Sequence, residues 1–268
     1  MDPILSTAIL AAQLAGSKIK HYYHNFDSVE VEHKGRNDYV SKVDKEAERL
    51  IINTILAHFS DHEILAEESG IQEQNSQSDF QWIIDPLDGT TNFLHRFPHF
   101  AISIAVAYKG ELEYGVIYNP ISRELFYACK GQGAFLNHQP IHVSQHTTLE
   151  NALVCTGFPY YAFDYMDDYM KGLAAFIEKT AGVRRPGSAA LDLAYVACGR
   201  VEGYWEFNLK PWDIAAGAVI VREAGGLATD FAAGNNFLAS GNILVANPEF
   251  HQQMLEVLQQ TTQPERLL

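Results

Sequence analysis

The sequence is poor in cysteine, in basic residues and in long hydrophobic runs, and each deficit excludes a class of protein. The three cysteines, Cys129, Cys155 and Cys198, lack Cys-x-x-Cys spacing, so we expect reduced thiols rather than disulfides or a cysteine metal site. The chain has only 19 basic residues and 33 acidic ones, and the formal charge of −14 argues against broad binding to nucleic acid or anionic membranes. No leader-like segment is evident, and no apolar run approaches the ~20 residues that a membrane helix needs. We therefore expect a soluble, cytoplasmic protein.

The composition favours a large folded unit. Hydrophobic residues make up 47% of the 268 positions and aromatic residues 12%, which is enough for a substantial core. Neither repeats nor a clear linker divide the chain, so we expect a single compact unit over 1–268, with approximate halves 1–150 and 151–268. Helical and strand-like patterns alternate along it, which predicts an α/β (α+β) protein with mixed sheets layered against helices.

The spacing of apolar residues predicts the individual elements. Helices are predicted near 4–19, 43–59, 165–180, 189–198, 214–224 and 248–260, and strands near 63–66, 81–135 (several), 152–156, 203–207 and 243–246. Asp44 falls in the first turn of the second helix, and Glu67 directly follows the first strand. The polar segments 24–39 and 70–79 are predicted to be loops.

The stretch from Trp82 to Phe93 contains the highest density of candidate functional groups. A short apolar run ends in two carboxylates, Asp85 and Asp88, and then in Gly89, two threonines and an asparagine. This order is typical of a strand that delivers acids to its end, followed by a turn whose N–H groups can hold an anion. Acids beside anion donors are compatible when a divalent cation lies between them, so the stretch suggests metal-assisted attack on a phosphate.

Two further acids extend this pattern, although each has an ordinary interpretation alone. Glu67 alone is typical of a surface acid, Asp213 before the predicted helix 214–224 is typical of an N-cap, and residues 85–89 could form a β-turn. Together they supply the carboxylates that hard Mg²⁺ prefers. Hydrolysis of phosphate monoesters needs more acceleration than one general base provides, which favours a site with several metal ions.

Three segments carry a resemblance to a known family. Residues 85–93 resemble the first signature of the inositol monophosphatase family, residues 211–217 its second, and Glu67-Glu68-Ser69 its acidic motif. Residues 185–194 and 207–212 are most similar to the bacterial, SuhB-type branch. The order and spacing match from about Ile4 to Pro248. The resemblance implies a layered α-β-α-β-α sandwich of the sugar/inositol phosphatase type.

The resemblance also implies a role for each matching residue. Two or three Mg²⁺ ions would be held by one carbonyl and four carboxylates, those of Leu87 and of Glu67, Asp85, Asp88 and Asp213. Gly89 and Thr90 would bind phosphate through their N–H groups, while Thr90, supported by Asp44, and Glu67 would orient and deprotonate a water. The substrate would contact Gly187, Ser188, Ala189, Glu206 and Asp213.

The function implied is hydrolysis of inositol 1-phosphate by direct in-line attack of a metal-activated water, with inhibition by Li⁺. Other small esters remain open, among them fructose 1,6-bisphosphate, histidinol phosphate and adenosine 3′,5′-bisphosphate. A second class also remains open, a protein-binding role in transcription antitermination through a factor such as NusA or RNA polymerase. The resemblance further implies a homodimer, for which the apolar segment 100–106 and the aromatic-rich loop 158–165 are candidate contacts. The roles of Lys34 and of the pair Arg184-Arg185 are not decided.

Overall fold

The computed structural model describes residues 2–25, 31–35, 38–72, 78–158 and 163–267, with the backbone alone at 31–35, 38–41 and 72. Its first layer is a pair of helices, α1 (Pro3–His24) and α2 (Lys42–His58), which were both predicted. The Asp2 side chain begins α1 by accepting from the Ile4 N–H at 2.8 Å, as an N-cap does. The predicted loop over 24–39 is wrong in part, because β1 (Val31–Gly35) and β2 (Asp38–Ser41) pair as an antiparallel hairpin.

The second layer is a sheet of eight strands in the order β10-β9-β8-β7-β6-β5-β3-β4. Its strands are β3 (Glu63–Ala66), β4 (Gly70–Gln72), β5 (Phe80–Asp88), β6 (Ala101–Tyr108), β7 (Glu111–Asn119), β8 (Glu124–Cys129), β9 (Ala134–Leu136) and β10 (Gln139–Ile141). β3 and β5 run parallel and the other pairs are antiparallel. β4 corrects the prediction of a loop that starts at residue 70, since its three residues extend the sheet beside β3.

The segment 100–106 is not a surface, contrary to the dimer contact predicted for it. β6 lies between β5 and β7, and residues 100–106 are buried in the core of the sheet. Of the second predicted contact, 158–165, residues 159–162 lie outside the described residues. Phe158 and Phe163 on either side are exposed, whereas Tyr165 is buried and stacks on Phe207 with a ring separation of 5.2 Å.

A second sheet of five strands has the order β12-β11-β13-β15-β14. The strands are β11 (Leu153–Thr156), β12 (Gly182–Arg184), β13 (Gly203–Glu206), β14 (Leu227–Thr229) and β15 (Ile243–Ala246), and the helices of this half are α4 (Met166–Lys179), α5 (Ala189–Ala197), α6 (Pro211–Glu223), α7 (Phe237–Ser240) and α8 (Pro248–Thr261). The larger strands and helices match the predictions, while β12, β14 and α7 were not predicted.

Helices α5 and α6 lie between the two sheets and share one core with both of them. Helices α1 and α2 pack against the outer face of the larger sheet, and α4 and α8 against the outer face of the smaller one. The predicted α-β-α-β-α layering is therefore confirmed. α6 approaches β7 very closely, because a Cβ at Gly115 would lie 2.4 Å from the Ala216 carbonyl oxygen.

Two predictions about special segments can be compared with the described residues. Cys129, Cys155 and Cys198 are free thiols, as expected, and the first two are buried. Among the helices that the structure describes, none combines the length and the apolar character needed to cross a bilayer.

Candidate active site

The parallel pairing of β3 with β5 brings the first two acids together. Ala66 is paired with Ile84, and the Glu67 N–H donates to the Ile84 carbonyl at 3.1 Å. Both strands therefore end at the same edge of the sheet, so Glu67 and Asp85 meet although they lie 18 positions apart. These two acids contribute to the lining of a pocket of about 420 Å³.

The end of β5 turns both of its acids toward this pocket. The register between β5 and β6 shifts between Asp85 and Asp88, as at a bulge, and bulges redirect side chains. The Asp85 Oδ1 atom accepts from the Leu87 N–H at 2.9 Å, which holds the local turn. Asp85, Leu87 and Asp88 all line the pocket.

Gly89 and Thr90 follow at the start of α3 (Thr90–Leu94), a helix that was not predicted. Gly89 has φ +94°, and a Cβ there would also lie 3.2 Å from the Gly187 carbonyl, so glycine is required. The first N–H groups of a helix have no acceptor within it, which leaves them suited to an anion. The Thr90 Oγ1 atom lies 2.9 Å from Asp44 Oδ1 and 3.0 Å from the Leu87 carbonyl, so its single proton has two acceptors. Asp44 is buried at the start of α2.

The N-terminal end of α5 holds Asp88. Ser188 Oγ donates to Asp88 Oδ2 at 2.5 Å, and the Ala190 N–H donates to the same oxygen at 2.8 Å. Asn92 Nδ2 donates to the Pro186 carbonyl at 2.9 Å and thereby ties the preceding loop to α3. These contacts place Gly187, Ser188 and Ala189 in the pocket lining, where the sequence had suggested substrate contacts.

Asp213 lies inside α6 rather than before it. The helix begins at Pro211, and the Lys210 N–H donates to Asp213 Oδ2 at 2.7 Å, which makes Asp213 the third helical residue of a capping box. The predicted helix start at 214 was wrong because proline is favoured in the first helical turn, and the N-cap alternative for Asp213 fails with it. The Ser103 hydroxyl of β6 donates to the Trp212 carbonyl at 3.0 Å and anchors this end of α6 in the site.

Glu206 lines another part of the pocket, at the end of β13. The Tyr204 hydroxyl donates to Glu206 Oε2 through a very short hydrogen bond. The missing side chain of Gly157 makes room for this acid, because a Cβ there would lie 1.9 Å from Glu206 Oε1. Glu206 therefore occupies a closely fitted position with a carboxyl group inside the pocket.

The pocket also contains residues that the sequence did not assign to the site, among them Asn92, His95, Arg185 and Asp192. Arg185 stands 5.4 Å over the Phe158 ring, and its neighbour Arg184 lies on the edge strand β12; both residues are exposed. Nothing is described for the Lys34 side chain, whose residue belongs to β1. Asp192 gave no local signal because a single acid in the first turn of a helix is common.

Burial, and then the nearness of other carboxyl groups, sets the electrostatics of the site. Burial, and then the charges of Glu67, Asp88 and Asp213, raise the pKa of Asp85 well above its usual value. Burial, and then Asp88 and Glu67, do the same to the pKa of Asp213. Burial raises the pKa of Asp88 to about 6, although the hydrogen bonds from Ser188 and Ala190 oppose the shift. The site is thus unfavourable for its own negative charges and would be stabilised by a cation.

The donor set fits Mg²⁺ better than a metal that needs a closed cage of side chains. Among the residues that the structure describes, no group of three or more His, Cys, Asp or Glu side chains is arranged to hold one metal ion. Mg²⁺ does not require such a group, since it is usually bound through one or two carboxylates, waters and the substrate's phosphate. The carboxylates of Glu67, Asp85, Asp88 and Asp213 and the carbonyl of Leu87 are all oxygen donors, so they meet that requirement.

Comparison with known proteins gives matches along nearly the whole chain. The model of the inositol monophosphatase family matches residues 1–263. The chain is 49% identical over 255 residues to "Nus factor SuhB" of Escherichia coli (strain K12), which covers 95% of both proteins.

Solved structures show the same similarity in three dimensions. The extragenic suppressor protein suhB from Bartonella henselae has 41% identity and a TM-score of 0.93, with 96% of this chain and 98% of that one covered. The inositol monophosphatase from Anabaena (Nostoc) sp. PCC 7120 has 38% identity and a TM-score of 0.83, with 98% and 97% covered. Both proteins are therefore similar to this chain in sequence as well as in fold.

Proposed function

The chain belongs to the inositol monophosphatase family, and from that premise we propose that it is a Mg²⁺-dependent phosphomonoesterase acting on inositol 1-phosphate or a closely related polyol phosphate. One observation carries the proposal: four carboxylates from three separate segments, Glu67, Asp85, Asp88 and Asp213, line the same pocket as the start of α3 and Glu206. This arrangement joins a cation-binding region, an anion-binding turn and an acceptor for hydroxyl groups.

The carboxylates have the character expected of Mg²⁺ ligands. Two or three ions would be held by Glu67, Asp85, Asp88, Asp213 and the carbonyl of Leu87. When bound, Mg²⁺ lowers the pKa of water and neutralises charge on the phosphate and on the departing oxygen. Burial and then mutual repulsion raise the pKa of Asp85 and Asp213, which supports this assignment, because a bound cation stabilises their charged forms.

The remaining groups bind phosphate and move a proton. The N–H groups of Gly89 and Thr90 donate to phosphate oxygens. Thr90 donates its hydroxyl proton to Asp44, so that its oxygen can accept from the attacking water, and Glu67 receives the water's proton. The water oxygen forms a bond to phosphorus as the ester bond on the opposite side breaks, so no phosphorylated side chain is needed.

Contacts to the organic part of the substrate come from the other side of the pocket. The backbone of Gly187, Ser188 and Ala189 lies along it, and Glu206 accepts hydrogen bonds from hydroxyl groups. Asp213 contributes to these substrate contacts as well as to the binding of Mg²⁺. The family description and the inositol monophosphatase from Anabaena support inositol phosphate as the first substrate to test.

The direct test is phosphate release from about a dozen esters with Mg²⁺ and with EDTA, compared by kcat/KM. We expect release only with Mg²⁺ and the highest kcat/KM for inositol 1-phosphate. The panel includes fructose 1,6-bisphosphate, histidinol phosphate and adenosine 3′,5′-bisphosphate. A higher kcat/KM for one of these esters would show that it is the preferred substrate. Absence of Mg²⁺-dependent release from every ester would refute the proposal.

The names of the relatives favour a second function, contact with the transcription machinery, because several that are 44–49% identical are Nus factors. Copurification with NusA and with RNA polymerase would test it. The Asp88→Asn variant separates the two functions, since it should lose phosphate release while retaining a contact made by the protein surface. The resemblance also implies a cytoplasmic protein, a homodimer and inhibition by Li⁺, and these stay predictions. Sedimentation would test the dimer, and activity measured with added Li⁺ would test the inhibition.

A further inference from the structure

Asp192 is an acid of the pocket to which the proposed reaction assigns no task. It lies on α5 four positions after Ser188, and residues i and i+4 share a helix face. Ser188 on that face contacts Asp88, so the same face of α5 borders the pocket. Both residues line it, together with Glu206.

The Asp192 carboxyl group is buried with an unused acceptor. The residue is 1% exposed, and among the described residues its Oδ1 atom has no hydrogen-bond partner. Buried polar atoms are nearly always paired, because an unpaired one loses its contacts with water without replacement. An acceptor left unpaired in a substrate pocket is available to a donor that the substrate brings.

The surroundings of Asp192 disfavour a further anionic group. Burial, and then the charges of Glu206 and Asp88, raise its pKa, while contact with the Cys155 thiol lowers it. Arg185 also lowers the pKa and is the nearby cation. A second anion would be repelled here, whereas a hydroxyl group brings an O–H donor without net charge.

We propose that Asp192 is a second hydroxyl-binding residue, which acts beside Glu206 so that the pocket prefers phosphate esters carrying two neighbouring hydroxyl groups. The inference rests on the phosphatase function proposed above and adds a residue that recognises a hydroxyl group of the polyol substrate. One substrate hydroxyl donates to Glu206 and the next to Asp192. The Asp192 carboxyl can present either oxygen, because the terminal torsion of aspartate is broad.

The test compares two esters that differ in hydroxyl groups, inositol 1-phosphate and 4-nitrophenyl phosphate, in the presence of Mg²⁺. We expect Asp192→Ala to lower kcat/KM for inositol 1-phosphate about tenfold or more relative to 4-nitrophenyl phosphate, mainly through KM. Asp192→Asn keeps one acceptor oxygen, so the same ratio should change less. The matched control is Asp168→Asn, a buried acid of α4 outside the pocket, which should leave the ratio unchanged.

The outcomes separate this inference from the function on which it rests. If the wild type releases phosphate from neither ester, the proposed function fails. If it is active but Asp192→Ala and Asp192→Asn affect both esters equally, or neither, only the assignment of Asp192 fails. Thermal unfolding adds a second readout, because a purely structural carboxylate would make Asp192→Asn less stable, whereas an unpaired one predicts an unchanged or higher Tm. If the alanine variant does not fold, the asparagine variant decides by the same ratio.

Discussion

Asp88→Asn should make the protein more stable without Mg²⁺ and inactive with it. Asp88 is held by Ser188 and Ala190 but lies among the other acids of the pocket. Its pKa of about 6, against the usual 3.8, means that the fold disfavours its charged form. Asparagine has nearly the same shape and no charge, and its carbonyl oxygen can still accept both hydrogen bonds.

The magnitude follows from the pKa. A rise from 3.8 to about 6 corresponds to about 3 kcal/mol lost at neutral pH, where the folded state must carry the charge. The residue is partly exposed, so screening reduces this to about 2 kcal/mol. The gain from Asp88→Asn should be fully present above pH 6 and vanish below pH 3.8, where the acid is protonated in both states. At pH 7.5 it predicts a Tm increase of roughly 4–8 °C.

The assay is thermal unfolding in EDTA and in Mg²⁺, together with phosphate release. The wild type should gain stability from Mg²⁺, because a ligand that binds the folded state stabilises it, and the variant should gain much less. Its kcat should fall by about a thousandfold or more, since several kcal/mol of charge stabilisation are removed. A lower Tm than wild type in EDTA, or an unchanged response to Mg²⁺, would refute the reasoning.

The control for this experiment is Asp168→Asn. Asp168 Oδ2 accepts from Arg266 Nη1 at 3.2 Å, so here the charge is paired and its loss should destabilise the protein. Activity and the Mg²⁺ response should be retained, because α4 lies outside the pocket. Opposite signs for the two variants would show that the stability gain comes from removing a buried charge that lacks a salt-bridge partner of the kind Asp168 has.

Three further predictions concern single contacts. Thr90→Val removes the hydroxyl that contacts Asp44 and should lower kcat about 10²-fold, whereas Thr90→Ser should restore most of it; equal rates for the two variants would exclude a role for the hydroxyl. Gly157→Ala adds a Cβ that collides with Glu206, so KM for inositol 1-phosphate should rise more than KM for 4-nitrophenyl phosphate, and a parallel rise would contradict this. Burial lowers the pKa of His251 from 6.5 to about 4, so this histidine reduces the stability of the fold as the pH falls through that range. Relative to His251→Gln, urea unfolding should show an additional loss of about 2.5 kcal/mol between pH 7.5 and 4.5, and equal losses would refute the burial argument.

Local sequence patterns predicted the longer helices and strands and most of the acidic residues of the candidate site. The apolar run before Asp85 indicated a strand, and the spacing around Asp44 and Asp213 indicated helices, because the periodicity of burial is a local property. The short strands β1, β2, β4, β10, β12 and β14 were missed. Strands of three to five residues are stabilised by partners elsewhere in the chain, and a short polar segment carries little sign of them.

The sequence by itself determined which chemical groups are present and the family to which the chain belongs. Only the tertiary structure decided which of these groups meet. Glu67 reaches Asp85 through parallel strand pairing, Asp44 reaches Thr90 across 46 positions, and Ser188 reaches Asp88 across 100. The Asp192 oxygen that lacks a hydrogen-bond partner among the described residues could not be predicted, because burial, hydrogen-bond pairing and pKa depend on neighbours that the fold brings together from distant parts of the chain.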